Sequence, residues 1–203
     1  MVIDEHAWFA ILAVIAAERL VELIISRRNA ARAMAAGGFE VGRRHYAAMV
    51  ALHSAFLISC LAESLLIVRR VWPALSLGAL AAVIAAEALR YWAVWSLGER
   101  WNTRINVRPD TLPITRGPYK WTRHPNYLAV IIEIAALPLI RGCWITAAVF
   151  TAANAVMMAV RIPAEERALG IAYARQFDST PRFIPRFHAK AGSRQLKNRR
   201  QPV

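Results

Sequence analysis

Apolar residues run along this chain in five blocks, at about 7–25, 46–68, 72–97, 127–140 and 143–160, separated by polar connections. A helix needs ~20 apolar residues to cross the ~30 Å hydrocarbon layer of a membrane. Four blocks are near that length, and the fourth, 127–140, makes only ~21 Å of helix at ~1.5 Å per residue. The last two blocks form a short helical hairpin whose two outer ends meet at one membrane face. No strand–helix alternation and no Gly-x-Gly-x-x-Gly after a strand is present, which excludes a soluble doubly wound nucleotide-binding fold. The pattern predicts an all-α integral membrane bundle of about five transmembrane helices.

The connections punctuate this pattern. Gly37-Gly38 stops a helical continuation of the first block, Trp72-Pro73 opens the third, and Pro109, Pro113, Gly117 and Pro118 make 98–126 a loop. Tyr91, Trp92, Trp95 and Trp101 form an aromatic belt at the end of the third block. Lys and Arg are distributed unevenly: alternate connections hold 21 against 3. The positive-inside rule then places the N-terminus outside and the long loop and C-terminus in the cytoplasm, as for a multi-pass protein of a bacterial inner membrane. The expected organisation is one membrane domain over 1–188 and a basic, disordered tail over 189–203.

Composition adds exclusions. The chain has 203 residues, 57% of them hydrophobic, with a net charge of +13. That charge suggests nucleic acid in a soluble domain, but here it sits between apolar blocks, so the partners expected are membrane lipid and no nucleic acid. The first block has no basic leader and is interrupted by Glu18, Arg19 and Glu22, unlike a signal peptide. Cys60 and Cys143 suit buried apolar positions, and the five His and two Cys show no metal-ligand spacing.

Polar residues inside apolar blocks are candidate sites. Glu18, Glu22 and Asn29 share a helix face, and Glu87 and Arg90 stand three apart and can pair. Glu133 needs a partner from another helix, with Arg90, Arg19 or Asn154 as candidates. His53 suits either a packing role or contact with a substrate.

Two clusters bracket the hairpin: GPYKWTRHPNY (117–127) and RIPAEERAL (161–169). Together with the closing Pro-Arg-x-x-Pro run they resemble the isoprenylcysteine carboxyl methyltransferase family, integral membrane enzymes that use S-adenosylmethionine. The resemblance is strongest over 111–185. The N-terminal half, with ERLVELIISRRN, GGFEVGRRHY and LGERWNTRI, is similar to a bacterial branch associated with alkylpyrones and alkylresorcinols, which implies methylation of a ring hydroxyl. Carboxyl methylation of a prenylcysteine-like substrate and a phospholipid-type transfer are the alternatives. The resemblance implies a cofactor region at about 98–188. Tyr119, His124, Pro125, Asn126 and Tyr127 match positions lining the cofactor pocket. Leu112 and Ile114 lie in a stretch that approaches the cofactor through backbone. Glu165 matches a cofactor contact, Arg161 a residue that engages the acceptor oxygen, and Glu166 is the adjacent acid, a candidate base. His53 and Glu133 are further substrate candidates.

The chemistry of these side chains agrees. A carboxylate meets the cofactor ammonium, aromatic faces attract its sulfonium, and a permanently charged Arg161 holds an oxygen nucleophile. Which of Glu165 and Glu166 meets the ammonium stays open. The acceptor expected is a lipophilic small molecule with its tail in lipid, and no metal is called for.

Overall fold

In the computed structural model, which describes residues 3–67, 70–108 and 111–184, the first helix starts at Asp4. Its carboxylate accepts the Ala7 N–H at 2.7 Å and opens α1 (Glu5–Ala35). A turn leads into β1 (Phe39–Val41), followed by α2 (Arg43–Leu66) and α3 (Pro73–Leu97). β2 (Ile105–Val107) pairs antiparallel with β1, Glu40 opposite Asn106. α4 (Pro125–Ala136) begins directly after His124, and α5 (Trp144–Gln176) closes the described chain. Pro73 and Pro125 each occupy a first helical turn, where a missing N–H costs nothing. The basic tail 189–203 lies outside the described residues.

The bundle has two ends. At one, Glu63 of α2 accepts the Thr146 N–H and hydroxyl, both at 2.7 Å, and the Ile145 N–H at 3.1 Å, which satisfies the start of α5. There the Ser76 hydroxyl donates to the Ile140 carbonyl at 2.9 Å, and Arg141 donates to the Ile3 carbonyl at 3.0 Å. Trp8, Phe56, Ile134, Leu137 and Ile140 form the core behind these contacts, each nearly inaccessible. The other end carries the β1–β2 ribbon, the 98–124 connection and the last turns of α5. Leu20, Ile24, Ile84, Val149 and Val156 stand exposed around the outside, an apolar girdle suited to lipid.

The expectation of about five transmembrane helices is overturned. Three described helices are long and apolar enough to cross a membrane: Arg43–Leu66, Pro73–Arg100 and Trp144–Gln176. α1 has the length, but Glu18, Arg19, Glu22, Arg27 and Arg28 break its apolar run. α4 has 12 residues, and with the 3-10 turn Leu137–Ile140 it remains a short apolar helix. Apolar blocks therefore counted helices here, not crossings.

The charges of α1 find partners across the bundle. Arg19 lies 2.9 Å from Glu22, 3.3 Å from Glu87 and 3.9 Å from Glu133. Arg90 hydrogen-bonds Glu133 and lies 3.4 Å from Glu87 and 3.6 Å from Glu22. Of the candidate partners for Glu133, both arginines lie against it. This ion cluster ties α1, α3 and α4 together beside the apolar core that they share.

Candidate functional site

The His-Pro turn is held by the segment that follows α5. Arg123 and His124 donate their N–H groups to the Pro181 and Arg182 carbonyls at 2.9 and 3.1 Å. His124 Nε2 meets Glu166 Oε1 at 3.0 Å, and Arg182 grips both oxygens of Glu166 at 3.1 and 2.7 Å. These charge-assisted bonds raise the Arg182 guanidinium above its usual pKa. Two glycines make the turn possible. Gly117, at φ 60°, lies so close to α3 that a Cβ would meet Ser96 Oγ at 1.9 Å. Gly170, at φ 74°, breaks α5 and turns Tyr173 toward His124, ring centroids 6.5 Å apart.

Around this turn lie two cavities, of ≈ 200 Å³ and ≈ 140 Å³. The larger is walled by Thr111, Leu112, Pro113 and Ile114, by Tyr119, His124 and Glu165, and by Asn106 of β2. The smaller lies between α1, α2, α4 and α5 and is lined by His53, Met49, Val130, Met158 and Arg161. Trp101, Asn102, Asn126 and Tyr127 line both, so the two cavities adjoin along a shared wall.

Arg161 stands at that wall. It is 2% exposed. Its Nη2 donates to the Thr103 carbonyl at 2.7 Å and its Nε reaches the Tyr127 hydroxyl at 3.4 Å. Nη1 is buried with no acceptor among the described residues, a donor available to a ligand. Tyr127 passes its own hydroxyl proton toward Glu165. Burial lifts the Tyr119 phenol well above its ordinary pKa, so this wall residue stays a neutral donor.

The residues singled out from sequence fall into groups. Leu112, Ile114, Tyr119, His124, Asn126, Tyr127 and Glu165 gather on the larger cavity, Leu112 at its exposed rim. Pro125 is buried as the start of α4 and lines neither cavity. Arg161 and His53 line the smaller cavity. Glu133 stands apart in the ion cluster, engaged by Arg90. Glu166 lines neither cavity and is committed to His124, Arg182 and, at 3.5 Å, Arg123. Trp101, read as a membrane-interface anchor, is 2% exposed and forms the shared wall, whereas Trp95 is 85% exposed. The sequence reading missed Asn102 and Asn106. Asn102 is set by contacts with Ser26, 76 positions away, which leave no local pattern.

Residues 79–171 match the model of the isoprenylcysteine carboxyl methyltransferase (ICMT) family. An uncharacterized protein of Bacillus subtilis, YpbQ, is 37% identical over 165 residues, covering 80% of this chain and 96% of the relative. The chain belongs to the ICMT family. An uncharacterized protein of Haemophilus influenzae is 30% identical over 158 residues, covering 77% of this chain and 91% of the relative. The fold is similar to that of a eukaryotic intramembrane Ras methyltransferase ICMT, with a TM-score of 0.51 and 23% identity over 68% of this chain. This chain spans 52% of that protein. ICMT membership makes the protein a membrane-associated methyltransferase of the S-adenosylmethionine-dependent kind, with a lipid-related acceptor.

The larger cavity fits that cofactor. Glu165 offers a carboxylate to an ammonium group. Both side-chain polar atoms of Asn106, the Asn126 Oδ1 and the Trp101 Nε1 are buried without partners, a set of donors and acceptors suited to a ribose and a purine edge. Nε2 of His124 is committed to Glu166, which leaves Nδ1 as the ring nitrogen that can meet a cofactor.

Proposed function

We propose that this protein methylates an anionic oxygen of a membrane-embedded amphiphile, the carboxylate of a prenylcysteine-like compound being the leading acceptor. The observation that carries the reading is the junction of the two cavities at their shared residues, with the Nη1 of Arg161, unpaired among the described residues, on its acceptor side. When bound in the larger cavity, S-adenosylmethionine supplies an electrophilic methyl group on a sulfonium. Glu165 holds the amino acid end, and the Tyr127 ring forms the face beside the reacting atoms. Arg161 fixes the acceptor oxygen as an anion and aligns it. A carboxylate is already ionised near neutral pH, so Glu166 acts as a positioning residue for the His124 turn rather than as a base.

The family's description and the solved relative, a Ras methyltransferase by its description, support the carboxylate reading. A second reading, methylation of a ring hydroxyl of an alkylpyrone or alkylresorcinol, is favoured by the ≈ 140 Å³ acceptor cavity, sized for a compact head group. There Arg161 would also lower the hydroxyl pKa. An amine acceptor is disfavoured by the arginine. We also propose that the site end of the bundle faces the cytoplasm and the Asp4 end the outside of a bacterial inner membrane.

Isothermal titration of the purified full chain in detergent with S-adenosylhomocysteine tests the cofactor site; no binding by folded protein refutes it. Membrane lipid extract incubated with methyl-labelled cofactor then tests the acceptor. Mild alkali releases label as methanol from a carboxyl ester and leaves it on an aryl ether, so one treatment separates the two acceptor classes.

A further inference from the structure

The acceptor cavity is polar at both of its ends. One end is the wall with Arg161, Asn102 and Thr103. The other is formed by Arg19 and Glu22 of α1, His53 of α2 and Arg90 of α3. Ser26, whose hydroxyl meets Asn102 and Thr103 at 2.7 Å, marks the first end on α1. Glu22 and Arg19 lie one and two turns deeper, ~6 and ~10 Å along the helix. Leu23, Met49, Val50, Val130 and Met158 line the cavity between these groups, and Ser54 and Leu57 of α2 flank His53.

A site that held only a hydrocarbon tail beyond the methylated oxygen would be apolar at this depth. The deep end instead presents hydrogen-bond acceptors. The Met49 carbonyl, 2.9 Å from His53 Nδ1, can only accept, so Nδ1 carries the proton. In the neutral ring Nε2 is then a bare acceptor, and His53 makes no other hydrogen bond among the described residues. Glu22 adds a second acceptor. Its Oε2 pairs with Arg19 at 2.9 Å, while its Oε1 stands 3.6 Å from Arg90, beyond hydrogen-bond distance, and keeps room for a donor.

We infer that the acceptor carries a second hydrogen-bond donor, a hydroxyl or an N–H, on the same head group as the methylated oxygen, and that His53 Nε2 and the Glu22 carboxylate read it. This inference rests on the acceptor reading given above. An analogue lacking the donor leaves both acceptors facing an apolar surface. Sites built in this way reject such analogues more strongly than they reject a change of shape. His53 is thereby a specificity-determining residue and not a catalytic one.

The test uses the full chain in detergent, methyl-labelled S-adenosylmethionine and two matched acceptor pairs. The first pair is 5-pentadecylresorcinol and 3-pentadecylphenol; the second is N-acetyl-S-farnesylcysteine and S-farnesyl-3-sulfanylpropanoic acid, which lacks the amide N–H. The donor-bearing member of the pair that is used is expected to show at least a tenfold higher kcat/KM. That preference should collapse in His53→Leu and persist in His53→Gln, whose amide oxygen still accepts, with S-adenosylhomocysteine affinity unchanged in both. A merely structural role for His53 would alter both members of a pair alike. Equal kcat/KM within each pair, or a preference that survives His53→Leu, overturns the inference and leaves the acceptor reading standing. No transfer to any of the four by a chain that binds S-adenosylhomocysteine overturns the acceptor reading and the inference with it.

Discussion

Arg161 is buried with two of its donors spent on Thr103 and Tyr127 and one unspent. Its removal deletes the group that aligns the acceptor oxygen and leaves the larger cavity's own lining intact. Arg161→Ala should therefore lower kcat by at least ~100-fold, with S-adenosylhomocysteine affinity changed by less than ~3-fold in calorimetry. Equal loss of both would place Arg161 in the cofactor site instead. Glu166 behaves in the opposite sense. Glu166→Gln breaks the charge-assisted bonds to Arg182 and His124, each worth ~1.5–3 kcal/mol. It should weaken S-adenosylhomocysteine binding by about tenfold and leave the acceptor KM nearly unchanged, as initial rates would show. Both residues were legible in the sequence, because charged side chains at the margins of apolar blocks have few structural uses. Their surroundings were not legible, because Arg161 is held by Thr103 and Glu166 by Arg182, which no spacing connects to them.

At the scale of elements, the site depends on how two segments leave their helices. Gly117→Ala forces a methyl against Ser96 of α3 and holds a β-carbon at positive φ. Gly170→Ala meets open space and bears only the strain of its backbone, about 1 kcal/mol. Gly117→Ala should accordingly lower the thermal midpoint in detergent more than Gly170→Ala does, and should also weaken S-adenosylhomocysteine binding because Tyr119 is displaced with its turn. A larger loss in Gly170→Ala would contradict this ordering. The helices themselves were readable from apolar blocks and proline positions. The β1–β2 ribbon was not, since two strands of three residues carry too little alternation to register. The role of α1 was misread for a related reason: block length suggested a crossing, whereas Arg19 and Glu22 serve the ion cluster and the cavity.

For the molecule as a whole, that cluster sets the cost of disruption. Glu133→Ala strands Arg90, which is 4% exposed, without its hydrogen-bonded acid. Loss of one partner of a buried pair costs about 3–5 kcal/mol, whereas replacing both by apolar groups of similar volume is often near neutral. Thermal unfolding in detergent should therefore show Glu133→Ala far less stable than the double variant Arg90→Met with Glu133→Leu. If the double variant is the weaker of the two, the pair contributes beyond charge compensation.

The meeting of the two cavities at Trp101, Asn102, Asn126 and Tyr127 has a kinetic and stereochemical consequence. Donor and recipient must be resident together on its two sides, so double-reciprocal plots at varied concentrations of each should intersect rather than run parallel. The carbon passes across once, without a stop on any side chain, and a methyl group made chiral with hydrogen isotopes should emerge with its configuration inverted.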